Sequence, residues 1–159
     1  MGRKSTFYDQ QFKGDDWDPD DPGDFEKNLV FVAMSFAGQE MDDAYSAIKD
    51  ECIKLNLRPV RVDENVGAGF IIKEIKDLIE RAEFIVFDLT KERPNVYYEL
   101  GYAHGVGNEA HDLLLLAADG TKLHFDIAPL RVQFYRSTEH LRSILASNLK
   151  EMIRITRKQ

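Results

Sequence analysis

The sequence predicts an α/β fold, an open parallel five-stranded sheet in the order 2-1-3-4-5 with helices on both faces. Three observations predict it. From Leu29 onward, apolar strand-like runs alternate with segments of helical period. The runs at 29–34 (LVFVAM) and 84–89 (FIVFDL) are almost continuously apolar, the pattern of strands covered on both faces. The segments between strands are long enough for crossovers, which parallel pairing requires and which run right-handed.

Each element follows in order. The first strand is the run 29–34. Over 41–57, Ala44, Ile48, Cys52, Ile53 and Leu57 recur with helical spacing. A second strand is expected at 59–62 (PVRV). Gly67, Ala68 and Gly69 open a helix with Ile71, Ile72, Ile75, Leu78, Ile79 and Ala82 on one side. The third strand is 84–89. Pro94 or Asn95 starts the next helix, which runs to about Gly107. Strands at 113–117 and 131–135 follow. Leu141, Ile144, Leu145, Leu149, Met152 and Ile153 mark a closing amphipathic helix.

Composition limits what such a chain does. With 159 residues, 43% hydrophobic and 31% charged, it is expected to form one globular domain. No apolar run approaches ~18 residues, so a membrane span is not expected. The first residues show no apolar signal region, and Cys52 is the single cysteine. Both point to a reducing, cytoplasmic setting without disulfides or a multi-cysteine metal site. A net charge of −7 argues against duplex nucleic acid or an anionic membrane as the main partner. Residues 1–28 carry eight acidic side chains against Arg3, Lys4, Lys13 and Lys27. This segment reads as an acidic, flexible arm, and 29–159 as the single folded domain. The acid spacing does not match a Ca²⁺ loop, and a solvated tail is the simpler account. Trp17 is left unexplained by that account.

The strand order locates the expected site. It places a topological switch between strands 1 and 3, and ligands bind in that crevice beyond the carboxyl ends of the strands. The lining segments are 35–40 and 88–99, with the loop 63–70, which includes Asp63, closing one side. Asp88 ends an otherwise apolar strand, as a turn cap or as part of a site. Glu99 shares a helical stripe with Val96, Leu100, Ala103 and Gly107, which should face the sheet. A glutamate on such a stripe is costly to ionise unless it meets a cavity or partner. With Asn95 as the N-cap, Glu99 would stand one residue too far for a capping box. Two carboxylates near one pocket suit work on a glycosidic bond, whose cleavage passes through a cationic sugar carbon.

Other crevice residues are weaker candidates for substrate binding. Ser35, Gly67 and Gly69 suit a phosphate at a helix N-terminus, although a bare Gly-x-Gly is as often a tight turn. Phe36, Tyr98 and Phe125 suit base stacking, although aromatic rings are more often core. Asn95 and Asp126 suit sugar contacts or caps. His104 reads as a structural histidine. The scattered histidines and one cysteine form no metal cluster, and Walker, nucleophile-elbow and full Gly-x-Gly-x-x-Gly patterns are absent.

The runs FVAMSF at 31–36 and FIVFDLTKERPNVYYELGYAHGVG at 84–107 resemble the nucleoside 2-deoxyribosyltransferase-like superfamily, especially its bacterial branch near the TIR domains. The resemblance spans about 29–135, and its most specific element is Asp88 followed by Tyr98 to Ala103 (YELGYA). It implies a flavodoxin-like sheet and a catalytic glutamate, which falls on Glu99. It also implies a nucleoside, nucleotide or NAD as substrate. The chain departs from the family in having Phe31 and Phe36, not tyrosine, at the first strand. The segment 90–95 (TKERPN) carries two cations where the family often has acids. Lys91 and Arg93 tilt the expectation toward a phosphate-bearing substrate.

The expected function is therefore cleavage of the N-glycosidic bond of NAD or a nucleoside 5′-monophosphate, as hydrolase or base transferase. Glu99 and Asp88 are the catalytic candidates. No metal or prosthetic group is called for, NAD entering as substrate. A homo-oligomer is expected. The alternative is a non-catalytic nucleotide-sensing or TIR-like assembly module. In it the acidic arm would pair with Arg142, Lys150, Arg154, Arg157 and Lys158 of the closing helix, which read more simply as a solvated face. A defence effector whose NAD cleavage is switched on by assembly is a third reading.

Overall fold

The computed structural model describes residues 26–62, 68–91, 93–124 and 130–158. The acidic arm before Glu26, with Trp17, lies outside the described residues, as do Asp63, Gly67, Phe125 and Asp126. In chain order the elements are β1 (Glu26–Ala33), α1 (Gln39–Lys54), β2 (Arg58–Val60) and α2 (Ala68–Arg81). Then come β3 (Ala82–Asp88), α3 (Pro94–Gly105), a 3₁₀ turn (Ala110–Asp112), β4 (Leu113–Ala118), β5 (Val132–Tyr135) and α4 (Thr138–Thr156). The sheet order is β2-β1-β3-β4-β5, and every pairing is parallel. This is the architecture that the alternation predicts.

Strand alternation divides the core into two layers. Leu29, Phe31, Ile85 and Phe87 face one side, against Ile75, Leu78 and Ile79 of α2 and Val96, Leu100 and Ala103 of α3. Val30, Val32, Phe84 and Val86 face the other, against Ala44 and Ile48 of α1 and Leu141, Leu145 and Leu149 of α4. β3 is buried along its whole length, as befits the middle strand.

Several boundaries differ from the sequence expectation. β1 starts three residues early because Glu26 is held by Arg81 at 2.6 Å and by Arg58. Asn28 then takes a left-handed backbone (φ 72°), and the register with β3 shifts between Glu26 and Val30. Ile72 does not join the core: it is 53% exposed, whereas Ile75, Leu78 and Ile79 are buried. Ala82 is buried as the first residue of β3, not as part of the helix. α3 stops at Gly105, where the Val106 N–H bonds to the Tyr102 carbonyl at 3.0 Å and Gly107 follows with φ 92°.

The basic side chains of the closing helix are largely engaged within the chain. Arg142 reaches Asp50 at 3.0 Å and ties α4 to α1. Arg154 pairs with Glu151. Arg157 donates to Glu83 at 3.1 Å and to the Asn28 side chain at 2.7 Å. Glu83 is 2% exposed and also accepts the Asn28 N–H at 2.7 Å. Of the five cations expected to pair with the acidic arm, these three already serve intrachain contacts. Arg157 and Glu83 close the amino end of the sheet. Among the described residues no helix is long and apolar enough to cross a membrane.

Candidate active site

The switch point lies between β1 and β3, whose following helices leave to opposite faces, α1 with α4 on one and α3 with α2 on the other. The crevice therefore opens between the β1–α1 turn and the β3–α3 turn.

The β1–α1 turn is shaped by its own polar groups. Ser35 is buried, and its Oγ accepts the Ala37 N–H at 3.1 Å. Gly38 adopts φ 98°, and a Cβ there would lie 2.7 Å from a Glu40 carboxylate oxygen. The backbone angle is what favours glycine, since the Glu40 carboxylate is the far end of a flexible side chain and can shift. The Gly38 carbonyl then accepts the Met41 N–H at 3.1 Å, opening α1. Phe36 packs against Arg61, just beyond β2. The Arg61 guanidinium carbon lies 3.9 Å from the centroid of Phe36 and 3.9 Å from that of Tyr45 on α1. Phe36 thus stacks on a cation of its own chain.

The β3–α3 turn is built on Asp88, which is 2% exposed. Its Oδ1 accepts the Thr90 N–H at 2.9 Å, the geometry of an Asx turn, and the Thr90 hydroxyl as well. Its Oδ2 accepts the Tyr135 hydroxyl at 2.7 Å. Thr90 Oγ1 in turn accepts the Ala118 N–H at 2.9 Å. Burial pushes the Asp88 carboxyl above the usual aspartate range, against the opposing pull of the Thr90 and Tyr135 hydrogen bonds. Burial and the neighbouring Asp88 also push the Tyr135 phenol up. The network ties the carboxyl ends of β3, β4 and β5 together. It forms part of a cleft of about 240 Å³, walled by Glu40, Asp43, Asp119, Arg136 and Ser137.

Lys91 forms an ion pair with Glu40 across the crevice, joining the β3–α3 turn to the start of α1. The same pair holds the Glu40 carboxyl below its usual range. Lys91 is therefore engaged by a carboxylate and is not the open phosphate ligand that the sequence suggests. Arg93 is the N-cap residue of α3, exposed and extended, with Pro94 in the first turn.

Glu99 is 4% exposed and shares the buried stripe of α3 with Val96, Leu100 and Ala103, as its spacing predicts. With Arg93 as the cap it stands deeper in the helix than an Asn95 cap would place it. Asp88 and Glu99 do not share one wall. Asp88 has the strand parity of Phe84 and Val86 and meets Tyr135, on the α1 and α4 face. Glu99 belongs to the helix covering the opposite face. The two flank the carboxyl edge from its two sides, because alternation along β3 decides where Asp88 points.

Of the remaining candidates, Gly69 lies in the first turn of α2. Asn95 is exposed at the start of α3. Tyr98 is 58% exposed on α3, one helical step away from the buried stripe. His104 is exposed. Sequence reasoning missed Thr90, Tyr135, Arg61 and Tyr45. For Arg61 a signal existed: a lone cation between Val60 and Val62 must face opposite to them. For Tyr135 the signal was its place at the end of a parallel strand, like Asp88. Among the described residues no group of three His, Cys, Asp or Glu side chains is placed to hold a metal ion.

No family model matches the chain, and no curated protein matches it by sequence. Solved structures do match in shape. The CMP N-glycosidase BcmB of Clostridium botulinum aligns with a TM-score of 0.59 at 14% identity, over 73% of this chain and 97% of that one. A flavo di-iron protein from Thermotoga maritima gives 0.61 at 17% identity, over 82% of this chain but 37% of that one. A diflavin flavoprotein from Nostoc sp. gives 0.55 at 14%, over 81% and 94%. At such identities the likeness establishes the fold, which is flavodoxin-like. A nucleotide glycosidase is among the proteins that share it.

Proposed function

We propose that this chain cleaves the N-glycosidic bond of a nucleotide, with Glu99 as the group that attacks or stabilises the anomeric carbon. The observation that carries the reading is the placement of Glu99, a carboxylate 4% exposed on the sheet-facing stripe of a helix that starts at the switch point. Buried carboxyl groups beside a ligand crevice are characteristic of reaction centres. The shape likeness to a CMP N-glycosidase supports the same chemistry.

In the proposed reaction the C1′–N bond breaks and its electron pair leaves with the base. The Glu99 carboxylate meets the positive charge at C1′. A water oxygen then bonds C1′; its proton goes to a base that leaves as an anion, and to solvent when the base leaves neutral, as nicotinamide does from NAD; in a transferase the nitrogen of a second base takes the water's place. The substrate is a nucleoside 5′-monophosphate or NAD, and no metal or prosthetic group takes part. Asp88 acts as a positioning residue, holding Thr90 and Tyr135 at the carboxyl edge.

The test is base release, read by chromatography, from NAD and from ribo- and deoxyribonucleoside monophosphates. Wild-type protein releases base, and Glu99→Gln loses about 100-fold or more. Equal release by both proteins, or none from any substrate, overturns the reading.

One observation favours an assembly module as the second reading. Tyr102 of α3 meets Glu80 and Lys76 of α2, so the two helices pack together. Ile72 of α2 and Tyr98 of α3 are each more than half exposed, large apolar side chains that a second copy would cover. Retention of cellular function by Glu99→Gln would favour the module. The buried thiol of Cys52 supports placing the chain in the cytoplasm.

A further inference from the structure

The mouth of the crevice is closed by a contact of the chain with itself. Glu40 belongs to the first turn of α1 and Lys91 to the β3–α3 turn, so their ion pair ties the two lips together. Glu40 also walls the cleft of about 240 Å³, whose lining includes Thr90, the residue before Lys91. Ion pair and cleft therefore share one place.

The surroundings favour an anion where the Glu40 carboxylate sits. Lys91 supplies a full positive charge. α1 runs for 16 residues from Gln39, and its N-cap, Gly38, offers no side chain to it. The positive end of the helix is met instead by Glu40, which also accepts its own backbone N–H. Glu40 is thus an anion that the chain supplies to itself, and its hold is weak. The Glu40 and Lys91 side chains are 57% and 37% exposed, and exposed ion pairs contribute little. Asp43, on the same wall, is engaged by the Gln39 amide at 2.9 Å.

We propose that Glu40 is an autoinhibitory anion: it occupies the position at Lys91 that the phosphoryl group of a ligand takes, and it swings out to admit that ligand. The proposal goes beyond the glycosidase reading, because it concerns entry at the cleft and needs no bond broken at Glu99. A phosphoryl group carries more charge and more acceptor oxygens than a carboxylate, so it competes well for the ammonium. A bare nucleoside gains nothing from opening the pair.

The test measures binding in full-length Glu99→Gln protein, so that no base is released during the titration. Calorimetry follows CMP, cytidine and NAD. Adding Glu40→Gln tightens CMP by about 5- to 20-fold and leaves cytidine within about 2-fold. A gain for CMP alone assigns the position to a terminal phosphate, and a gain for NAD as well assigns it to phosphoryl groups in general. Asp43→Asn removes a charge from the same wall without releasing Lys91, and gives less than about 3-fold. Adding Lys91→Gln to Glu40→Gln cancels the gain, since no ammonium is left to release. Where Glu40→Gln fails to fold, Glu40→Asp decides: it keeps the charge, draws it back from Lys91 by one methylene and tightens CMP by about 2- to 5-fold. A CMP affinity unchanged by these Glu40 variants overturns the proposal. So does a gain no larger than that of Asp43→Asn, a gain that survives Lys91→Gln, or no binding of CMP by any of the proteins. Absence of base release by the wild type, with the Glu40→Gln gain intact, overturns the glycosidase reading alone.

Discussion

Replacing Tyr135 by phenylalanine removes one oxygen and nothing else. That oxygen donates to Asp88 at 2.7 Å and lies 3.2 Å from the Thr90 hydroxyl. The carboxylate it leaves is buried, with both remaining donors coming from Thr90. A hydrogen bond to a buried charged group contributes about 1.5–3 kcal/mol, and its acceptor cannot turn to water here. For a domain of this size the loss lowers Tm by roughly 3–12 °C. The cost depends on pH, and its sign follows from Asp88. Burial sets the folded-state pKa of Asp88 above its unfolded value. Its contribution to stability is therefore fully present at acidic pH and is lost as pH rises through the raised pKa. The Tyr135 bond opposes that rise, so Tyr135→Phe raises the pKa further and deepens the loss above it. Where Asp88 is protonated, only a neutral hydrogen bond is missing and the penalty falls to about 1 kcal/mol. Denaturant unfolding of both proteins across a pH series, from acid to mildly alkaline, measures this directly. A penalty below about 0.5 kcal/mol throughout the series, or one that grows on acidification, would refute the reasoning. In a double-mutant cycle with Thr90→Val the two losses should be non-additive, because both residues serve one carboxylate.

Further outcomes are expected elsewhere. Arg157→Ala strips the buried Glu83 of its guanidinium partner and should cost about 3 kcal/mol in denaturant unfolding; a loss under 1 kcal/mol would show that the remaining partners of Glu83 suffice. Lys91→Met breaks a largely exposed ion pair and should leave the midpoint of denaturant unfolding nearly unchanged, with any difference fading in high salt. Cys52 is buried and its thiol is pushed up to about 12, so maleimide labelling at mildly alkaline pH should be blocked in the folded protein and fast after unfolding. Gly38→Ala meets a positive-φ backbone that an L side chain rarely adopts, while the Glu40 carboxylate can swing aside, and should cost about 1–2 kcal/mol by thermal unfolding.

The local periodicities of this chain determined its layered plan. Continuous apolar runs marked β1 and β3 as interior strands, and helical spacing placed Glu99 on the buried stripe of α3, because both patterns depend on neighbours a few residues apart. The long-range chemistry of the crevice was decided in three dimensions. Tyr135 meets Asp88 across 47 residues only because β4 sets both strand ends at one level. Which face Asp88 serves follows from the parity of β3, one residue's shift of which would send it to the side of Glu99. The cancellation of Lys91 by Glu40 and the clamping of Arg61 by Phe36 and Tyr45 join side chains from separate elements. No spacing rule couples such residues; they meet because parallel strands deliver all their following loops to one edge of the sheet.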